Sequence, residues 1–189
     1  MFSLDHARID QTMNEIFQKG IISPSRSEWV SEPHMVKEDD GTYWFCVDFR
    51  KLNQVTIHDL DPLPRIDDLL DQLGCSRYFT FIDLAAEYWQ ILMDSRDAHK
   101  TTSRTRIGLF SFNRMPFDLS DAGNIFWEMA NSIFVDLISD STILVYLNDI
   151  LIHTSTWPQH IQASQATLQQ IQQHNLKLQW KKCRWGRTR

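Results

Sequence analysis

One stretch constrains the fold more than any other: Ile143-Leu144-Val145-Tyr146-Leu147, then Asn148-Asp149, then Ile150-Leu151-Ile152-His153. Two apolar runs of strand length, rich in β-branched residues, flank a polar dipeptide, and that pattern predicts a β-hairpin. Asn and Asp both tolerate positive φ, so the expected two-residue turn is Asn148-Asp149. On hydrophobicity alone this is a buried hairpin with an ordinary turn. The same pattern also sets a carboxylate, Asp149, at a hairpin tip, where it can serve as a hard oxygen ligand for a cation.

The chain has 189 residues, 42% of them hydrophobic and 12% aromatic, which suits one domain, or a piece of a larger protein, with a substantial core. No apolar run is long enough to span a bilayer, so no membrane partner is expected. Met1 to Asp10 lacks the basic start and apolar stretch of a secretory signal. Cys46, Cys75 and Cys183 are odd in number and have no CxxC spacing, so they read as reduced thiols in an intracellular protein, cytoplasmic or nuclear. The net charge of -5 gives no overall footprint for a polyanion. Locally, Lys177, Lys181, Lys182, Arg184, Arg187 and Arg189 lie together with no acid among them. That run is expected to be a solvated, frayed end, with phosphate contact as the alternative.

Leu4, Ile9, Met13, Ile16 and Phe17 share a helical face, and Gly20 can end that helix. Ile21 to Pro33 reads as a turn-rich connector. Met35-Val36-Lys37 and Tyr43 to Phe49 read as strands joined through Asp39-Asp40-Gly41. After an irregular stretch to Pro64, a short helix is expected with Ile66, Leu69, Leu70 and Leu73 inward and Gly74 as its stop. Tyr78 to Leu84 is a strong strand, and Asp83 near its end is an unusual residue for a core strand. Tyr88 to Met93 and Leu109 to Asn113 are weaker strands. Ser120 can cap a helix to about Ile138 that buries Ile125, Phe126, Met129, Ile133, Phe134 and Leu137. Pro158 starts a glutamine-rich helix with Ile161, Leu168 and Ile171 inward, and Leu176 to Trp180 closes as a strand. Without a regular βαβ repeat, this order predicts an α+β fold, an antiparallel sheet with helices on one face.

Several motifs now stand in order: Asp48-Phe49-Arg50-Lys51-Leu52-Asn53, Pro62-Leu63-Pro64-Arg65-Ile66-Asp67-Asp68-Leu69-Leu70, Tyr78 through Asp83-Leu84, Arg104-Thr105-Arg106, Met115-Pro116-Phe117 and Tyr146-Leu147-Asn148-Asp149-Ile150-Leu151. In this order and spacing the chain resembles the reverse transcriptase of gypsy-like long-terminal-repeat retrotransposons and retroviral-type Pol polyproteins, from about Gly20 to Gly186. The resemblance implies the palm and fingers of a right-hand polymerase: residues about 20–75 mostly fingers and about 76–189 mostly palm with a fingers-side insertion. Thumb, RNase H and integrase segments, and the strand that grips the primer terminus, are expected outside this fragment. The implied reaction is RNA-templated DNA synthesis by two-metal nucleotidyl transfer, with a template-primer of RNA or DNA and dNTPs as partners and two Mg²⁺ ions (or Mn²⁺) as cofactors. By the same resemblance Asp83 and Asp149 are the metal ligands, Asn148 completes the catalytic set, Tyr88 packs under the incoming sugar as a steric filter, and Lys37 and Phe117 contact the nucleotide.

Departures from that family pattern fall on the site. Asn148 stands where the family has an aspartate, leaving two carboxylates where three are used. Trp44 replaces an arginine that reaches the triphosphate, removing a bidentate contact. Glu38 and Asp39 follow Lys37 where lysines recur. Asp118 and Glu87 replace glycines, Gly123 a proline and Trp127 a glutamine. The expectation is therefore a polymerase domain whose activity is weakened or lost. The alternatives are a catalytic domain within a larger element, an inactive folded remnant that binds protein or nucleic acid, and, without support from His spacing or a separate acid cluster, a nuclease using Asp83 and Asp149.

Overall fold

The computed structural model describes residues 2–37, 41, 43–58, 65–85 and 87–188. The expected turn at Asp39-Asp40, the acidic Glu38 and Asp39, and Pro62 and Pro64 lie outside them. Two compact units are present, Met1–His58 with Ile91–Ala122, and Asp59–Gln90 with Gly123–Arg189.

In the first unit, helix α1 (Phe2–Gln18) buries Ile9, Met13 and Ile16, and Gly20 follows it at φ 70°. Phe17, expected inward, is 41% exposed, because it lies about 100° round the helix from buried Ile16; its ring meets Phe110 edge-on at 5.9 Å. The stretch read as a connector contains strand β1 (Ile22–Pro24). Three residues ending in proline are too short to stand out in sequence, and proline is tolerated because β1 is an edge strand. Strand β2 (Pro33–Lys37) pairs antiparallel with β3 (Tyr43–Val47), and a single helical turn, α2 (Arg50–Asn53), follows. Strands β5 (Ser103–Thr105) and β6 (Gly108–Phe112) complete a sheet of order β1-β6-β5.

The second unit holds helix α3 (Ile66–Asp71), strand β4 (Tyr78–Asp83), all but the first residue of α4 (Ala122–Ser139), β7 (Ile143–Tyr146), β8 (Asp149–Thr154), α5 (Trp157–Gln173) and β9 (Arg184–Thr188). Its sheet has the order β7-β8-β4-β9 with every pair antiparallel. Several expectations are corrected here. Helix α3 buries no residue, and Ile66 and Leu70 are 54% and 55% exposed. Tyr88 falls in a 3₁₀ turn over Glu87–Gln90 in place of a strand. On α4 the stripe is Phe126, Ala130 and Phe134, while Ile125 is exposed. Leu178 makes only an isolated bridge to Leu84, and the closing strand is β9, built from the basic run.

Helix α5 buries His160, Ala163, Thr167 and Ile171, an i, i+3, i+7, i+11 stripe that includes two polar side chains. Ile171 is inward as expected, whereas Ile161 is exposed, because the stripe runs on through His160 instead. His160 is held by a chain of hydrogen bonds. Thr80 Oγ1 accepts the Gly186 amide at 3.0 Å and shares a hydrogen bond with His160 Nε2 at 2.8 Å; Nδ1–H donates to Thr154 Oγ1 at 3.2 Å, and Thr154 donates to the Thr156 carbonyl. A neutral imidazole protonated on Nδ1 satisfies this chain, and burial pushes the His160 pKa down, favouring that form.

Candidate active site

In the β4–β8 pair Ile82 lies opposite Ile150, and Asp83 opposite Asp149. Directly opposed residues share a face and successive residues alternate. Ile82 and Ile150 are fully buried on the face where Thr80 meets α5, so Asp83 and Asp149 project together from the other face, Cβ atoms about 5 Å apart. The two carboxylates named from sequence are thus brought together by strand register. The turn between β7 and β8 is Leu147-Asn148, one residue earlier than expected; Asp149 is the first residue of β8 and pairs with Tyr146. Leu147, an unfavourable residue for the purpose, takes the positive φ of 53°. The Leu84 amide donates to the Asn148 carbonyl at 3.1 Å, tying the tip to the end of β4.

Asp83 is 8% exposed. Burial raises the Asp149 pKa first, the charge of Asp83 raises it further, and Lys182 acts in the opposite sense. Lys182 Nζ lies 3.7 Å from Asp83 Oδ2. The Gln179 amide donates to the Asp83 carbonyl at 2.9 Å, so residues 177–183 wrap the end of β4. Lys182 was missed as a site residue because its basic run reads in sequence as a solvated end. The Asn148 side chain makes no hydrogen bond among the described residues, and these hold no group of three His, Cys, Asp or Glu able to bind a metal.

Tyr88 stacks edge-on to Phe126 at 6.1 Å, and its hydroxyl would lie 3.9 Å from a Cβ on Gly123, with Leu147 at 3.6 Å. A side chain at position 123 therefore fits. Trp127 has its indole N–H buried without a partner. Lys37, Trp44 and Phe117 belong to the first unit. Trp44, 47% exposed, meets Phe117 edge-on at 5.3 Å. Lys37 pairs with Tyr43 and Trp44 with Val36, so Lys37 lies on the opposite face of the β2–β3 hairpin from Trp44. Asp118 has a φ of 68°, a conformation glycine takes freely. Its backbone carbonyl accepts from Asn53 Nδ2 at 2.9 Å.

Among the described residues no helix is long and apolar enough to cross a membrane. Among sequence relatives, the retrovirus-related Pol polyprotein from transposon 297 of Drosophila melanogaster is 36% identical over 180 residues, 93% of this chain and 17% of that polyprotein. The Pol polyprotein from transposon gypsy of the same organism is 31% identical over 94% of this chain and 18% of its own length. An RNA-directed DNA polymerase homolog of Oenothera berteroana is 40% identical over 109 residues, 58% of this chain and 76% of that protein. This chain therefore spans less than a fifth of the transposon polyproteins. Among solved structures, the foamy viral protease-reverse transcriptase in complex with double-stranded DNA superposes with a TM-score of 0.86 at 18% identity, covering 95% of this chain and 31% of that one. The same protein in complex with an RNA/DNA hybrid gives 0.86 at 17% identity, covering 95% and 24%. At such identities the likeness carries the fold, an α+β polymerase palm and fingers. The reverse transcriptase (RNA-dependent DNA polymerase) model matches residues 36–188, and the chain belongs to that family, as a reverse transcriptase domain of the retrotransposon type.

Proposed function

We propose that this chain is the fingers and palm portion of a retrotransposon reverse transcriptase, and that nucleotidyl transfer by it is weakened or lost. In this reading the first unit is mostly fingers and the second mostly palm. The observation that carries it is the register of Asp83 with Asp149 beside a turn that supplies Asn148 instead of a third carboxylate. Two facing carboxylates, one of them raised in pKa by burial and then by the other's charge, fit a divalent cation, and the Asn148 side-chain carbonyl can add a neutral oxygen. Asp83 and Asp149 would hold Mg²⁺ or Mn²⁺. Such ions stabilise the attacking and leaving oxygens of an in-line phosphoryl displacement. Tyr88, fixed against Phe126, supplies the flat wall under the incoming sugar, and its bulk disfavours a 2′-hydroxyl. Lys37 is left as the cation for the triphosphate and Phe117 as an apolar contact, because Trp44 offers one N–H and no charge where the family uses arginine.

The substrates in this reading are a template-primer of RNA or DNA and dNTPs, in keeping with the nucleic acids held by the structural neighbours. Cys46, Cys75 and Cys183 are thiols and not disulfides, as suits an intracellular, cytoplasmic or nuclear, setting.

Primer extension on poly(rA)/oligo(dT) with Mg²⁺ or Mn²⁺ tests the proposal. The native chain is compared with Asn148→Asp and with Asn148→Asp plus Trp44→Arg. The native chain is expected to extend at least about 10²–10³-fold more slowly than the repaired chains, the cost of one missing electrostatic stabiliser. Extension by the native chain at the rate of Asn148→Asp refutes the weakening. The alternative, an inactive binding module, predicts no extension by any variant together with intact nucleic-acid or protein binding.

A further inference from the structure

A cation stands at the mouth of the carboxylate pair. Lys182 Nζ lies 3.7 Å from Asp83 Oδ2, and its charge is felt at Asp149 as well. Backbone contacts set that position. Leu178 bridges Leu84, the Gln179 amide donates to the Asp83 carbonyl at 2.9 Å, and the Lys182 amide donates to the Gln179 carbonyl at 2.8 Å. Two residues on, Arg184 opens β9 and pairs with Phe81. The turn that carries Lys182 is therefore fastened to the end of β4 on both sides of the lysine. The two partners differ in setting: the Asp83 side chain is 11% exposed and the Lys182 side chain 67%. Such a pair attracts while it is formed, because one member is shielded from solvent, yet the lysine can rotate into water at little cost. Charge gives the contact a consequence. Two carboxylates and one ammonium leave one net negative charge for a divalent ion, half of what Asp83 and Asp149 carry alone. Beside a third carboxylate the lysine would offset a third of the charge; beside Asn148 it offsets half.

We infer that Lys182 is a tethered competitor of the metal: its ammonium offsets one charge of the Asp83–Asp149 pair, and a divalent cation binds through both carboxylates only after the lysine has swung out to solvent. Lys182 thereby sets the metal affinity of the site from outside the ligand set. A charged ammonium has three donors and no lone pair, so it cannot join the ligands and can only oppose the ion. A unit charge about 5 Å from a divalent ion weakens its binding about tenfold even in water-like surroundings. The inference rests on the reading of Asp83 and Asp149 as metal ligands proposed above, but it concerns binding and not catalysis.

The test is Mn²⁺ binding to the full chain, followed through the electron paramagnetic resonance signal of free Mn²⁺, without nucleotide or nucleic acid, at about 50 and about 500 mM KCl. Lys182→Met, neutral and of similar length, should tighten binding about tenfold at the lower salt and by less at the higher, because salt screens the repulsion. Lys182→Arg keeps the charge and should bind no more tightly than the native chain. Lys182→Gln should match Lys182→Met, and it carries the test if the methionine variant melts early in circular dichroism. Asp83→Asn identifies the site, since the binding should be lost with that carboxylate. The inference is overturned if Asp83→Asn loses Mn²⁺ while the neutral variants bind no more tightly than the native chain, or if Lys182→Arg tightens binding as much as they do. Either result leaves Asp83 and Asp149 as ligands. Binding that is absent from every variant, or that Asp83→Asn leaves unchanged, removes the metal-site reading itself and this inference with it, so the two failures are distinct.

Discussion

Acid should unfold the second unit through its buried histidines. His160 is 1% exposed and His153 3% exposed; burial lowers the pKa of both. His153 bonds Ser76 Oγ through Nδ1 at 3.0 Å, and its Nε2 is buried without a partner. The sign follows from proton uptake. The unfolded chain binds a proton on each histidine near 6.5 and the folded chain only at lower pH, so stability rises with pH across this window and is lost as pH falls below it. A histidine kept neutral in the fold costs about 0.1 kcal/mol at pH 7.5 and at most about 1.4 kcal/mol at pH 5.5, from RT ln(1 + 10^(6.5 − pH)). Two such groups set a ceiling near 3 kcal/mol, a large share of a typical folding free energy of about 5–15 kcal/mol. Urea unfolding at pH 7.5, 6.5 and 5.5 measures it. His160→Gln, which cannot take up a proton, should lose about half as much stability on acidification as the native chain, whatever its stability at pH 7.5. Asp149, raised in pKa and therefore of opposite sign, is common to both proteins and cancels in the difference. An identical acid loss in the two proteins, or none in the native chain, refutes the neutral His160 network.

Two further expectations come from backbone geometry. Gly186→Ala should destabilise by about 1–2 kcal/mol, lowering the melting temperature by about 2–8 °C, because an added Cβ lies 3.1 Å from Trp157 Cη2 and φ is 56°; an unchanged melt would show that β9 is not held against Trp157. Asp118→Gly should raise stability by about 0.5–1 kcal/mol, read in the same melts, by relieving the φ of 68°; a loss of stability would mean that the aspartate side chain contributes more than the strain costs.

The strands that brace the carboxylates were legible because their residues are strongly apolar and β-branched, as at Phe79 to Ile82 and Ile150 to Ile152. The turn was misplaced by one residue because propensity assigned the positive φ to Asn148 and Asp149. Pairing Asp149 with Tyr146 and with Asp83 outweighs the cost of putting Leu147 there. Part of the α5 stripe was missed because His160 and Thr167 are polar; His160 is satisfied by Thr80 and Thr154 on β4 and β8, and Thr167 by the Ala163 carbonyl one turn back on the same helix. Strand β9 was hidden because long cationic side chains read as solvated ends, although an edge strand can pair through its backbone and leave them in water. Asp83 stood out as a carboxylate at the end of an apolar strand, and motif order gave it a role; Tyr88 was found through motif order alone, since neither periodicity nor charge marks it.

The arrangement of β4 also sets a timetable. Its pairing with β8 joins residues about seventy positions apart, and its pairing with β9 joins Phe79 to Arg187, over a hundred positions later. On a ribosome, β4 emerges long before either neighbour, with both backbone edges open and Phe79, Phe81 and Ile82 exposed. Until β8 and β9 arrive, that strand is the segment most able to add to another copy of itself, and each closing loop is long enough to make the step slow. Misassembly of this chain should therefore begin at β4, and a holdase that recognises an extended apolar strand would have its greatest effect there.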